Sequence, residues 1–227
     1  KKDQRVWCWG RNEFGQLGNN KTLDSRKPDF AKMGAGAVSV AAGKAHGCAA
    51  MKSGEVWCWG KGTDGQLGID STAVERLSKR VKDIEDASLV AVGDAFSCAL
   101  HKDGQVSCWG GNDVAQLGGQ AGTKKKRPVP VNGVQGASAI AVGARHGCAL
   151  LAGGDVTCWG ANDKGQLGRA GGGGAPATVK GLSEVVEIAA GGATSCAIDG
   201  QGALACWGDN GAGQLGGAAA GTSHHEP

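Results

Sequence analysis

Short apolar runs of five or six residues alternate along the chain with glycine-rich breaks. The unit around residue 150 shows the pattern most plainly. Ala139 to Gly143 is a run of small and apolar residues, His146 to Leu151 a second run, and Asp155 to Gly160 a third. Runs of this length bounded by glycine read as strands. Ala152-Gly153-Gly154 separates the second from the third, and a three-residue loop ending in glycine predicts a hairpin with a bulge. Pro128-Val129-Pro130-Val131, in the linker before this unit, supplies a weaker fourth strand. Its two prolines cannot donate to a ladder, which assigns it to an outer edge. One segment competes with this reading: Val74, Leu77, Val81 and Ile84 follow helical spacing. Fifty residues on, however, Val81 aligns with Val131 and Ile84 with Val134, where Pro128 and Pro130 oppose a helix. The expectation is a strand there too.

The pattern is a repeat. Cys-Trp-Gly begins at Cys8, Cys58, Cys108, Cys158 and Cys206, in steps of 50, 50, 50 and 48 residues. Each copy is followed by Gln-Leu-Gly, at Gln16, Gln66, Gln116, Gln166 and Gln214. The repeats run approximately over 1–35, 36–85, 86–135, 136–184 and 185–227 of a single partial domain. Four strands per fifty residues and no helix is the arithmetic of a β-propeller blade, so the fold class is all-β, a β-propeller of four-stranded blades, with about four and a half present. The small residues of Ala139 to Gly143 suit the crowded innermost strand.

Composition narrows the function. The chain holds 43 glycines and no tyrosine, and its seven tryptophans all sit in the recurring motif, which marks a repeat and not a disordered segment. Twenty-four basic against 21 acidic residues leave a net charge of +3, too balanced to make nucleic acid or an anionic membrane the main partner. No uninterrupted apolar stretch reaches the length of a membrane helix. No leader pattern stands at Lys1, and since the start looks internal this says nothing about secretion.

Hairpin counting gives the cysteines a geometry. With Lys52, Ser53 and Gly54 as the loop, Met51 opposes Glu55 and Cys48 opposes Cys58, at a site where strand side chains lie closest. The same count pairs Cys98 with Cys108, Cys148 with Cys158 and, around Gly200-Gln201-Gly202, Cys196 with Cys206. Four intra-blade disulfides are expected, and with them an oxidising compartment: extracellular, periplasmic or cell-surface. Buried free thiols in an intracellular protein are the alternative. Opposed strand positions offer two ligands per blade and not four, which argues against zinc. The rule would place a partner for Cys8 before Lys1, leaving Cys8 unpaired or bonded to another chain.

The motif Trp-Gly-x-Asn-x-x-Gly-Gln-Leu-Gly, with an upstream Gly-x-x-His-x-Cys-Ala, closely resembles the repeat of the regulator of chromosome condensation family. It is cleanest at Trp9 to Gly18, Gly143 to Leu150 and Trp159 to Gly168. Ala115, Gly62, Phe96 and Thr194 depart from it in single copies. The resemblance implies a seven-bladed propeller, with further blades supplied by a longer chain or by another subunit. It also implies a range of functions, from nucleotide exchange on a small GTPase to secreted inhibition and protein interaction, among which fold does not choose. Exchange factors of the family act through an inserted loop, and no repeat here exceeds the common period.

The remaining residues are weighed one by one. The motif tryptophans, Trp9, Trp59, Trp109, Trp159 and Trp207, are expected to pack between blades. Asn12, Asn112, Asn162 and Asn210 are expected to cap the turn that follows them. His46 and His146 are assigned a turn-stabilising hydrogen bond and no metal. Trp7 and Trp57 have Ser107, Thr157 and Ala205 at the equivalent sites, so the fold does not require them; they pack or serve as anchors for a partner. The loops after Cys-Trp-Gly vary from copy to copy. If they share one rim, Arg11, Phe14, Lys61, Asp64, Asp113 and Lys164 mark a binding face. Lys124-Lys125-Lys126-Arg127 is either a solvated loop or a site for an acidic partner. No nucleophile with base and orienter, no cofactor motif and no metal set is visible. The expected function is a non-catalytic protein-binding scaffold, secreted or surface-exposed and part of a larger protein or assembly. A GTPase exchange factor and a structural subunit of a complex are the alternatives.

Overall fold

In the computed structural model, residues 4–216, 221 and 223–227 are described; Lys1 lies outside them. All regular structure among them is strand. The two-stranded first sheet pairs β1 (Trp7–Gly10) with β2 (Ser25–Phe30). The second is β3 (Ala37–Ala42), β4 (His46–Met51), β5 (Val56–Gly60) and β6 (Glu75–Arg80) in sequence order. The third is β7 (Ala87–Val92), β8 (Phe96–His101), β9 (Val106–Gly110) and β10 (Lys125–Pro130). The fourth is β11 (Ala137–Val142), β12 (His146–Leu151), β13 (Val156–Gly160) and β14 (Gly174–Thr178). The fifth is β15 (Val185–Gly191), β16 (Thr194–Asp199) and β17 (Leu204–Gly208). These are antiparallel propeller blades. The helical spacing from Val74 to Ile84 resolves into strand β6 followed by a turn that buries Val81 and Ile84.

The hairpin register follows the counting from the sequence. Met51 N–H donates to Glu55 O at 2.8 Å, and Cys48 stands opposite Cys58, as Cys148 stands opposite Cys158 and Cys196 opposite Cys206. The Cα atoms of all four cysteine pairs, Cys98 and Cys108 included, lie 4.1 Å apart with their sulfurs bonded. The proline strand β10 is indeed an outer edge, the last strand of the blade that β7 begins.

Contacts divide the chain into two compact units. The first comprises residues up to 102 with 107–111 and 123–129, the second 103–106, 112–122 and 130–227. In each, the core lies between successive sheets. The first unit packs Val56, Leu67, Val81, Ile84, Val90 and Trp109, and the second packs Val156, Leu167, Val179, Val185 and Trp207 at matching positions. A smaller cluster of the first unit gathers Val6, Ala31, Ala49, Met51 and Trp59.

Four of the five motif tryptophans are buried as expected, and each indole N–H reaches back to the glutamine carbonyl of the preceding repeat. Trp59 donates to Gln16 O at 2.7 Å, Trp109 to Gln66 O at 2.8 Å, Trp159 to Gln116 O at 3.1 Å and Trp207 to Gln166 O at 3.0 Å. Trp9 departs from this. It is 63% exposed, beside Val38 at 54% and Val40 at 57%.

The histidines also depart from expectation. Their bonds run between blades, not within a turn: His46 Nε2 meets Ser97 Oγ at 2.9 Å, and His146 Nε2 meets Ser195 Oγ at 2.8 Å. Both rings are buried, and neither Nδ1 has a partner.

A candidate binding cleft where the repeat breaks

The loop after Cys-Trp-Gly is shaped by a glutamine in all five copies and by an asparagine in all but the second, where Gly62 stands. The asparagine Oδ1 accepts from the leucine N–H of Gln-Leu-Gly at Asn12–Leu17 (3.0 Å), Asn112–Leu117 (3.3 Å), Asn162–Leu167 (2.9 Å) and Asn210–Leu215 (3.0 Å). The glutamine Oε1 accepts from the backbone two residues before it, as in Gln16–Phe14 and Gln116–Val114, both at 2.9 Å. This inner scaffold turns the variable residues outward.

In the first unit two of these loops meet. The Lys61 ammonium stands 5.9 Å from the Phe14 ring centroid and 3.9 Å from Asp64, while Arg11 pairs with Glu13. Phe14 is half-buried by this contact. Trp57 is half-buried against the Val6–Trp59 cluster and donates to Glu55 at 3.3 Å, and Trp7 packs on Phe30 with ring centroids 5.9 Å apart. The basic run is engaged internally. Lys124 Nζ donates to Thr63 O at 2.8 Å, and Arg127 bridges Asp70 at 3.0 Å and Asp83 at 3.2 Å, holding the Asp70 carboxyl below its ordinary range. Lys126 stands 3.9 Å from Asp70, and Lys125 is exposed.

In the second unit the repeat loses its regularity. At Gly15, Gly65 and Gly165 the first glycine of Gly-Gln-Leu-Gly sits in the left-handed region with backbone of a later segment hard against it. A β-carbon at Gly15 would lie 2.7 Å from Arg76 Cα, one at Gly65 2.9 Å from Lys125 O, and one at Gly165 2.7 Å from His224 O. Ala115 holds the corresponding place at φ 64°, so its real β-carbon needs that room. The loop from Gly160 to Gly174 is also one residue shorter than that from Gly60 to Glu75. Between residues 114–121 and 171–175 a cleft of about 1100 Å³ opens, lined by Ala115, Gln120, Ala121, Ala161 and the glycines 171–174, with Arg145 and Asp163 among its walls. Asp113 pairs with Arg145 and accepts from Gln116 Nε2 at 2.8 Å; the glutamine bond first, then the arginine, keeps its carboxyl below the usual carboxylate range. Lys164 is exposed beside Asp163. The sequence carried the signal for this cleft in Ala115, which reading the copies for likeness passes over as a single-repeat variation.

Among the described residues no group of three or more His, Cys, Asp and Glu side chains is placed to hold a metal ion. Cys8 keeps a free thiol whose burial pushes its pKa up to about 11, so it is a weak nucleophile at neutral pH.

Two models of the regulator of chromosome condensation (RCC1) repeat match the sequence, one at residues 3–50, 53–100, 103–150 and 153–198, the other at 37–66, 87–116, 137–166 and 185–214. The chain belongs to the RCC1 repeat family. Comparison with curated proteins gives no match. Among solved structures, yeast RCC1 (Prp20) bound to Kap60 superposes with a TM-score of 0.85 at 20% identity, over 99% of this chain and 56% of that one. Prp20p from Saccharomyces cerevisiae, described with its binding to Gsp1p and histones, gives 0.83 at 24% over 98% and 58%. Human WBSCR16 gives 0.81 at 22% over 92% and 57%. The CRINKLY WD40 ectodomain of the Arabidopsis thaliana receptor kinase ACR4 gives 0.54 at 20% over 92% and 58%. The chain thus spans little more than half of each of these relatives, and the likeness is one of RCC1 fold.

Proposed function

We propose that this RCC1-repeat chain is a non-catalytic protein-binding module acting outside the reducing cytoplasm, as part of a larger protein or assembly. The cleft around Ala115 carries the reading. It lies where the repeat is broken, it is walled by short residues that leave backbone groups within reach, and Gln120, Asn132, Asp163 and Arg145 offer polar contacts. Sites of this make-up suit an extended segment of a partner protein. The four cysteine pairs and the likeness to a receptor ectodomain support the compartment. The exposed Trp9, Val38 and Val40 support the larger assembly.

A photoreactive residue at Gln120 tests the cleft in cells that produce the protein. It is expected to crosslink one protein partner; the same residue at Lys102 is not, and Ala121→Trp, which fills the cleft, is expected to abolish the product. Crosslinking indifferent to Ala121→Trp would sink the reading. A second reading, exchange activity on a small GTPase, is favoured by the superposition on Prp20p. Accelerated nucleotide release from a Ran-type GTPase would bring it forward.

A further inference from the structure

The outer strands of three successive blades in the first unit concentrate cations. Strands β2, β6 and β10 hold Arg26, Lys27, Arg76, Lys79, Arg80, Lys125, Lys126 and Arg127 against only Asp29 and Glu75, a surplus larger than the +3 of the whole chain. Arg80 and Arg127 are spent on Glu55, Glu85, Asp70 and Asp83. Arg26, Lys27, Arg76, Lys79 and Lys125 have no carboxylate within 4 Å among the described residues, and all five are exposed.

The cations recur in register. Gly10 pairs with Ser25 and Gly60 with Glu75, so Arg26 and Arg76 hold equivalent sites one blade apart, and Lys126 follows another fifty residues on. Their backbones are pinned across the blades: Asn20 N–H donates to Arg76 O at 3.0 Å, and Asp70 N–H to Lys126 O at 2.9 Å. Lysine and proline on outer strands also protect sheet edges from pairing. That role does not account for the row, because β14, Gly174 to Thr178, closes its blade with one proline and no charge.

We propose that this row binds a linear anionic polysaccharide laid across the outer edges of the three blades. Cations that recur once per blade on separate sheets suit a chain with charges along its length, which meets one site per blade. Polysaccharide is preferred over nucleic acid because the inference rests on the extracytoplasmic reading given above. Binding of this kind is ionic and weakens steeply with salt.

Immobilised heparin, a sulfated polysaccharide, is the probe, eluted with a NaCl gradient. The wild type is expected to be retained past physiological salt. The Arg26→Ser/Arg76→Ser/Lys126→Ser variant is expected to elute well before it, with affinity lowered at least tenfold and an unchanged melting temperature. Lys52→Ser/Lys102→Ser/Lys180→Ser, which removes the same charge from other exposed sites, is expected to elute with the wild type. Equal losses in the two triple variants would overturn the proposal, as would a DNA duplex displacing the protein at lower concentration than a heparin oligosaccharide of equal charge. Counting free thiols in native material tests the compartment separately, so failure of that premise and failure of the row are distinguishable.

Discussion

Ser97 Oγ lies 2.9 Å from His46 Nε2, fifty-one residues away in sequence, and 2.9 Å from Gln66 O. A serine hydroxyl has one proton, and a carbonyl can only accept it. Ser97 therefore donates to Gln66 and accepts from His46, which fixes the neutral imidazole with its proton on Nε2. His146, Ser195 and Gln166 repeat the arrangement at 2.8 Å for both contacts.

Acid sensitivity follows. Burial lowers both histidine pKa values from 6.5 to about 4; Lys61 adds to the shift at His46, and Asp163 opposes it at His146. Between those values the unfolded chain binds protons that the folded one refuses, so stability is complete above about pH 6.5 and falls as pH drops toward 4. The loss is about 2 kcal/mol per histidine by pH 5. Denaturant unfolding followed by tryptophan fluorescence at pH 7.5 and 5 is expected to show it, and His46→Gln/His146→Gln to remove most of the difference. A difference that survives the double substitution would refute the assignment.

Trp109→Phe deletes the donor to Gln66 O and part of a fully buried side chain, at an expected cost of about 2–3 kcal/mol. Leu23→Ala, at an exposed site, is expected to change stability by less than about 0.5 kcal/mol. Chemical denaturation of the two variants side by side checks the contrast.

Oxidised protein alkylated under denaturing, non-reducing conditions is expected to carry one label, at Cys8, by intact mass. In the native state at pH 7.5 that label is expected to form slowly, since the half-buried thiol has a pKa near 11. Replacing Cys98 and Cys108 together by serine is expected to cost roughly 2–3 kcal/mol for a loop this short, read as a lowered midpoint.

Gly15→Ala forces a β-carbon to within 2.7 Å of Arg76 Cα at positive φ, an expected loss of about 2–4 kcal/mol. Ala115→Gly, where the cleft already makes room, is expected to shift stability by less than about 1 kcal/mol in either direction. Melting temperatures of the two variants decide whether Ala115 marks a relaxed site.

Local features were legible in the sequence to the extent that each rests on a fixed count. The opposition of Cys48 to Cys58 needs only loop length and strand pairing, and Pro128 and Pro130 alone place β10 at an edge. Burial of a motif tryptophan is set by a partner from the preceding repeat, as Gln66 is for Trp109, which a motif read within its own copy does not reveal. His46 was assigned to its own turn for the same reason: its partner stands one blade on, in a copy where histidine is replaced by phenylalanine and the next residue is serine. The cleft escaped notice because it follows from a missing clash, and Ala115 looks conservative until the strand packed against Gly15 is seen.

The histidine–serine bond gives the chain a second period. His-Gly at 46 and 146 alternates with Phe-Ser at 96 and Thr-Ser at 194. In this packing a β-carbon at Gly47 or Gly147 would press within 2.8 Å of the Trp59 or Trp159 ring. The packing unit set by this bond is therefore a couplet of about one hundred residues. Excising the Phe-Ser repeat between them would set His46 against Gly147 and leave a buried imidazole with no acceptor, whereas excising it together with the His-Gly repeat that follows sets His46 against Ser195. Shortening such an array by hand should therefore keep a serine copy directly after every histidine copy.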